Sequence, residues 1–162
     1  MAPLCRQFPG NTAAVSGAFS VHLPAGWMGY ASFAKVPAQS VGKIDLSIEA
    51  QAAPGVFGST IVVMTRPKTG EKLAAVAKNV RQQQESQLSV TTTELDAGPL
   101  DAAPSAAFTF DRASTKGQTF TVIEILALHA DNLYIVTANS LATSAGQMQA
   151  VLVEVLGTWH WT

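Results

Sequence analysis

The sequence has little cysteine and little charge, and both shortages restrict its chemistry. Cys5 is the only cysteine among 162 residues, so an internal disulfide is excluded and a zinc cluster lacks its thiolates. Charged residues are 13% of the chain, against a typical ~25% in globular proteins. Ten basic and eleven acidic side chains give a formal net charge of −1. We therefore expect no global field that attracts nucleic acid.

Long hydrophobic runs are also absent. The longest apolar runs are far shorter than the ~18 residues that cross a membrane, which predicts no transmembrane segment. The first 17 residues lack the apolar core of a signal peptide. Cys5 has two interpretations at this point. It is the lipid-bearing residue of a lipoprotein whose leader has been removed, or it is a free thiol in a loose N-terminal arm.

Apolar residues, by contrast, make up 48% of the chain. A chain of this length buries roughly 70% of its surface on folding, so it needs neither metal nor disulfide for stability. We expect a flexible arm at residues 1–16 and one domain at residues 17–162.

Alternation of apolar and polar residues predicts short strands in the first part of the chain. They lie at residues 18–23, 27–35, 43–50 and 59–66. Pro24 ends the first of them, because proline cannot donate to a ladder. The run 59–66 is almost continuously apolar, which is typical of a strand covered on both faces.

Two helices are predicted from apolar residues at spacings of three and four. The first has Thr69 at its N-cap, is about 17 residues long and buries Leu73, Val76, Ala77, Val80 and Leu88. Its other side, with Lys78, Arg81, Gln82 and Glu85, is predicted to face away from the core. The second helix runs from about residue 144 to 159, with an apolar face built from Met148, Val151, Leu152, Val155, Leu156 and Trp159.

Between these helices the pattern predicts an edge strand at residues 89–95, a connector rich in small residues, and a meander of three strands. The meander strands lie at residues 106–112, 119–129 and 133–140. Strand-rich blocks separated by two helices indicate an α+β fold, a mostly antiparallel sheet with both helices packed on it.

Titratable residues form no catalytic pattern. His22, His129 and His160 are far apart, and Asp96, Asp101 and Asp111 fit solvated turns. Glu124 is unusual because it interrupts the apolar strand "TVIEILALHA". We expect it either to face an uncovered side of the sheet or to pair with a cation. No catalytic residue, metal site or cofactor site is predicted, since no nucleophile elbow or phosphate loop is present.

Half of the cations are concentrated in a short stretch. Arg66, Lys68, Lys72, Lys78 and Arg81 lie close together in sequence with only Glu71 opposing them. Such a cluster orients a binding partner, or it is simply the solvated face of a helix.

Three aromatic residues lie in or beside the early loops, Trp27, Phe33 and Phe57. In one interpretation, they line a groove that binds an apolar segment of a partner protein. In the other, structural interpretation, Trp27 only packs behind the turn formed by "LPAGW".

Three segments of the chain resemble the PsbP-like fold superfamily. They are "FSVHLPAGW", "TIVVMTRPKTGEKLAAVAKNV" and "LYIVTANSLATSAGQMQAVLVEVLGTWHW". The superfamily includes the photosystem subunit PsbP, the yeast Ran-binding import factor, bacterial DcrB, LpqN-type lipoproteins and chaperones of type VI secretion effectors. The resemblance covers residues 17–161 and implies an α/β/α sandwich without a catalytic signature.

Two functions follow from that resemblance. The first is a non-catalytic protein-binding or assembly domain of a bacterial cell-envelope protein, secreted or lipid-anchored. The alternative is a cytoplasmic secretion-type chaperone that binds hydrophobic helices of a client, which implies a homodimer and an exposed apolar patch. An enzyme would require Glu124, His129 or His22 to converge in one pocket.

Overall fold

A computed structural model describes residues 5–6, 11–14, 16–30 and 43–162 of the protein. The strands of these residues are β1 (Cys5–Arg6), β2 (Asn11–Ala13), β3 (Phe19–His22), β4 (Trp27–Tyr30), β5 (Lys43–Ala50), β6 (Thr60–Pro67), β7 (Thr93–Leu95), β8 (Ser105–Ala113), β9 (Thr119–His129), β10 (Asn132–Leu141) and β11 (His160–Trp161). The helices are α1 (Leu73–Leu88) and α2 (Ala145–Gly157), and a 3-10 turn, Ala142–Ser144, leads into α2.

Eight of these strands form one sheet in the order β1-β4-β5-β6-β10-β9-β8-β7, and all its pairings are antiparallel. The β9–β10 hairpin is central to it, with a continuous register from Asn132 opposite His129 to Leu141 opposite Phe120. A second sheet has the order β11-β3-β2. Both β1 and β2 come from the predicted N-terminal arm, and the domain boundary at residue 17 stays a prediction.

The two helices cover opposite faces of the large sheet. One core cluster joins α1 to the sheet through Val76, Val80, Phe108, Phe110, Val122, Leu126, Leu133 and Ile135. The other joins α2 and the small sheet to the opposite face through residues that include Phe19, Trp27, Ile61, Val63, Ile125, Leu152, Val155 and Trp159. Strand β6 contributes to both clusters, as predicted, because Met64 packs on the α1 side. The predicted α+β sandwich is confirmed.

The segment "LPAGW" is a turn after β3. The Trp27 backbone N–H donates to the Pro24 carbonyl at 3.1 Å, and Gly26 adopts a left-handed φ of +79° that favours glycine. The Trp27 side chain is 8% exposed and belongs to the core on the α2 side. Its placement agrees with the structural interpretation of this segment.

Helix α1 begins three residues later than predicted, at Leu73 with Lys72 as its N-cap. Gly70 takes a φ of +83°, which a right-handed helix does not accommodate. The Thr69 hydroxyl donates to the Glu71 carboxylate at 3.0 Å, and no side-chain hydrogen bond caps the first turn of α1. At the other end, Leu88 was predicted to be buried but is exposed.

Two α1 residues predicted to face away from the core instead hold the chain that follows the helix. The Arg81 Nε donates to the Thr92 hydroxyl at 2.9 Å. The Glu85 carboxylate accepts from the same hydroxyl at 2.5 Å, and this hydrogen bond lowers the pKa of Glu85. Because Thr92 is held against α1, strand pairing begins only at Thr93, and β7 is shorter than the strand predicted at residues 89–95.

The C-terminus also differs from its prediction. Helix α2 ends at Gly157, and Trp159 lies beyond it, stacked on Phe19 with ring centroids 3.9 Å apart. The next two residues form β11 and pair with β3. The Thr158 hydroxyl accepts the His22 backbone N–H at 2.9 Å, so pairing with the small sheet replaces a further helical turn.

Asp45 links the loop before β3 to the large sheet. It is buried, and its carboxylate accepts the Ser16 backbone N–H and hydroxyl, each at 2.6 Å. The Thr65 hydroxyl donates to the same carboxylate at 3.2 Å. These three donors replace the water that a buried carboxylate loses.

We expect Asp45→Ala to lower the free energy of unfolding by about 2 kcal/mol, because it removes the buried acceptor of three part-buried hydrogen bonds. Urea unfolding measures this change. The matched control is Asp131→Ala, since the Asp131 side chain is almost fully exposed and its loss should cost less than about 0.5 kcal/mol. Equal losses in the two variants would contradict the role given to Asp45.

Candidate functional site

An apolar cavity of about 330 Å³ lies between α2, the β8–β9 pair and the segment from Leu95 to Pro99. We call it the α2 pocket. Its walls are mainly aliphatic, with Ile123 and Ile125 from β9 and Leu152 and Leu156 from α2. The volume is at the lower end of the ~300–1,000 Å³ typical of ligand sites. The pocket is therefore suited to a small apolar group.

The segment that closes one side of the α2 pocket is held by its own hydrogen bonds. The Gly98 N–H donates to the Asp96 carboxylate at 3.0 Å, and the Ser105 hydroxyl donates to the Gly98 carbonyl. Ala107 on β8 and Gly157 at the end of α2 also line the cavity. Their small size leaves the space open.

The rim of the α2 pocket presents an exposed apolar side chain. Val153 of α2 is 66% exposed and lines the cavity. Glu154 is the only charged residue of this helix. An exposed valine beside an open apolar cavity is typical of a surface that another molecule covers.

A second concavity, which we call the α1 groove, has a volume of about 570 Å³ and lies between α1 and the β7–β8 pair. Phe108 is buried at its base, and Lys78, Arg81 and Glu94 provide its charged groups. Leu95 and Ala107, which are opposite each other in the β7–β8 ladder, line both concavities. The pocket and the groove are therefore back to back at this edge of the sheet.

The structure divides the predicted cation cluster. Lys78 and Arg81 line the α1 groove. Lys68 is held elsewhere, because its Nζ donates to the Ala130 carbonyl at 2.6 Å and lies 3.5 Å from the Asp131 carboxylate. Lys72 is exposed before α1, and Arg66 is half-buried on β6. Two of the five predicted cations thus meet in one groove, and their role in binding stays a prediction.

The predicted aromatic groove is not assembled from the residues that the structure describes. Trp27 is in the core, and Phe33 lies outside the described residues. Phe57 is 38% exposed and packs edge-on against Phe120, with ring centroids 4.9 Å apart. Cys5 lies in β1, where its backbone pairs with Tyr30, and its lipidation stays a prediction.

Two of the three histidines lie beside or within β11 near the C-terminus. His129 stacks on Trp161 with centroids 4.0 Å apart and an interplanar angle of 5°. The His160 Nδ1 lies 3.5 Å from the Asp101 carboxylate, which also accepts the Trp161 backbone N–H. The contacts of these groups fasten β11 to its neighbours. His22 is exposed on β3.

Glu124 neither faces an uncovered sheet nor pairs with a cation, so both expectations for it were wrong. It is 5% exposed, and its Oε1 accepts the Gln84 amide of α1 at 2.9 Å. Its Oε2 has no hydrogen-bond partner within the described residues. Burial raises the pKa of this carboxyl to about 7. Helix α1 covers the strand at this point, which the strand pattern alone does not reveal.

No metal-binding constellation is found in the described part of the chain. No group of three or more histidine, cysteine, aspartate or glutamate side chains there is arranged to hold a metal ion. In the same residues, neither helix has the length and apolar content needed to cross a bilayer.

Sequence reasoning missed the α2 pocket. One signal was present, because Val153 lies outside the repeat of threes and fours that marks the buried face of α2. An apolar residue on the solvent side of a helix indicates a contact with another molecule when several are grouped. A single valine, however, does not locate a cavity.

No protein-family model matches the sequence, and no curated protein matches it. Solved structures do match this chain. LpqN, which is involved in cell envelope biogenesis of Mycobacterium tuberculosis, aligns over 97% of this chain and 87% of its own, with 12% identity and a TM-score of 0.69.

Two further structures align over almost the whole chain. A mutant of Mog1 is 14% identical with a TM-score of 0.62, and the alignment covers 96% of each chain. Cyanobacterial PsbP from Synechocystis sp. PCC 6803 is 8% identical with a TM-score of 0.58, and the alignment covers 96% of this chain and 95% of that one. Identities this low establish a common architecture only. The chain therefore has the PsbP-like fold that its sequence resembles.

Proposed function

We propose that this chain is a non-catalytic protein-binding domain of the bacterial cell envelope, and that the α2 pocket holds an apolar segment of its partner. The observation that carries the proposal is an open apolar cavity whose rim includes the exposed Val153. Large apolar side chains in pockets are the anchors that dominate protein–protein binding.

The size of the cavity fits side chains of this kind. An engineered cavity of ~150 Å³ holds one benzene molecule. A cavity of about 330 Å³ therefore has room for roughly two leucine- or phenylalanine-sized groups. The adjacent outer surface of α2 provides a nearly neutral contact area around such an anchor, since Glu154 is its only charge.

The chemistry of the pocket supports binding rather than catalysis. Among the described residues that line the pocket, Asp96 is the only one with a titratable side chain, whereas general acid–base catalysis requires positioned proton donors and acceptors. The cell envelope is proposed because LpqN, which has the same fold, is involved in cell envelope biogenesis. A lipid on Cys5 would anchor the domain there.

We expect Val153→Glu to weaken binding of the partner at least about tenfold, because it places a charge at the mouth of an apolar pocket. The matched control is Val56→Glu, since Val56 is 57% exposed and does not line the pocket. Each variant would be used to capture proteins from fractionated extracts of the source organism, with mass spectrometry as the readout.

The fraction that contains the partner tests the proposed location. A partner in the envelope fraction that is lost only from Val153→Glu supports the proposal. Retention by that variant, or equal loss from Val56→Glu, contradicts binding at the α2 pocket. A client found only in the cytoplasmic fraction would contradict the envelope location and favour the chaperone alternative.

A further inference from the structure

The α1 groove differs from the α2 pocket because it has charged groups at its edge. Lys78 is exposed and forms no ion pair with any residue that the structure describes. The Arg81 guanidinium is half-buried, and it binds Thr92 and Glu94. Glu94 is the only carboxylate among the lining residues that the structure describes. The groove therefore has an excess of positive charge.

The base of the groove is apolar, and its walls are formed by small side chains. Phe108 is fully buried beneath it, and Ala74 and Ala77 from α1 face Ala106 from β8 across the opening. Alanines on both sides leave the volume of about 570 Å³ open. A groove of this volume has room for a main chain together with several small side chains.

We propose that the α1 groove binds a segment of a partner protein that carries carboxylate groups next to small apolar side chains. One carboxylate pairs with Lys78, and another competes with Glu94 for the Arg81 guanidinium. Arginine is suited to this exchange, since its planar fork binds carboxylates and stays charged. The α2 pocket is on the opposite face of the sheet, and Leu95 and Ala107 are the residues that line both concavities.

The probe for this proposal is a short fluorescein-labelled peptide of alternating alanine and glutamate, with an alanine–lysine peptide as its counterpart. Fluorescence anisotropy with the full chain at low salt measures binding. We expect Lys78→Glu to weaken binding of the acidic peptide about tenfold. The matched control is Lys116→Glu, since Lys116 is also exposed and lies outside the groove, and it should change affinity less than about twofold.

A second variant changes binding in the opposite direction. Glu94→Gln removes the carboxylate that occupies Arg81, so we expect it to strengthen binding of the acidic peptide about threefold. A residue that only stabilises the fold would change the melting temperature without producing this gain in affinity.

Equal binding of the acidic and basic peptides would overturn the proposal. It would also be overturned if Lys78→Glu and Lys116→Glu had the same effect, or if Glu94→Gln weakened binding. None of these outcomes bears on the α2 pocket, which is tested separately by Val153→Glu.

Discussion

Replacing Phe19 by alanine is expected to lower the free energy of unfolding by about 3 to 5 kcal/mol. The Phe19 ring is fully buried between the small sheet and the large one. It stacks on Trp159 at 3.9 Å and meets Tyr134 and Trp161 edge-on at 5.9 and 6.1 Å. Alanine would leave a cavity at the joint between β3, β10 and the C-terminus. Urea unfolding followed by tryptophan fluorescence would measure the loss.

A matched substitution at Phe57 separates this packing effect from a general effect of losing an aromatic ring. Phe57 is partly exposed and has a single ring contact among the described residues, with Phe120. Phe57→Ala should therefore cost no more than about 1 kcal/mol. If Phe19→Ala were no more damaging than Phe57→Ala, the aromatic cluster would not be what fastens the small sheet to the large one.

Replacing Glu124 by glutamine is expected to stabilise the protein at neutral and alkaline pH, and not in acid. Burial between α1 and β9 raises the pKa of this carboxyl from 4.5 to about 7. The shift corresponds to a difference of about 3 kcal/mol between the two protonation states. Glutamine has a similar shape and can accept from Gln84, but it carries no charge to desolvate.

The sign of the pH dependence follows from which state keeps the proton. Between pH 4.5 and about 7 the folded protein binds a proton that the unfolded chain has released, so stability decreases as the pH rises. Above this window the full penalty of about 3 kcal/mol is present, and below it the penalty disappears. Denaturant unfolding of wild type and Glu124→Gln across this range measures the effect.

Glu154→Gln is the control for removing a glutamate, because Glu154 is exposed on α2. Its stability should follow that of the wild type at every pH. A gain for Glu124→Gln that is the same in acid and in alkali would show that the variant acts through packing, not through the buried charge.

The strands were predictable because their pattern is local. Strand β5 agrees with its predicted range 43–50, and β9 agrees with 119–129, since alternation and turn residues fix where pairing begins and ends. The turn at Gly117 lies between β8 and β9, and the turn before Asn132 lies between β9 and β10. Both turns join strands that are antiparallel neighbours in the sheet, which agrees with the meander predicted for β8, β9 and β10.

Three of the errors fall where distant segments compete with local preference. Thr92 is drawn to Arg81 and Glu85, which shortens β7. Residues 160 and 161 pair with β3, which is far away in sequence, and this contact ends α2 early. Glu124 was misassigned for the same reason, since the helix that covers it is folded back from an earlier part of the chain.

The sequence by itself determined the α+β class, the two amphipathic helices, the antiparallel meander and the lack of a disulfide. Periodicity and composition are sufficient for these, because each depends on neighbouring residues or on simple counts. Only the tertiary structure decided where the α2 pocket and the α1 groove lie. Each is space left between elements that are far apart in the chain, and its volume depends on how their side chains pack. Leu95 and Ala107 contribute to both because β7 pairs with β8 at that register.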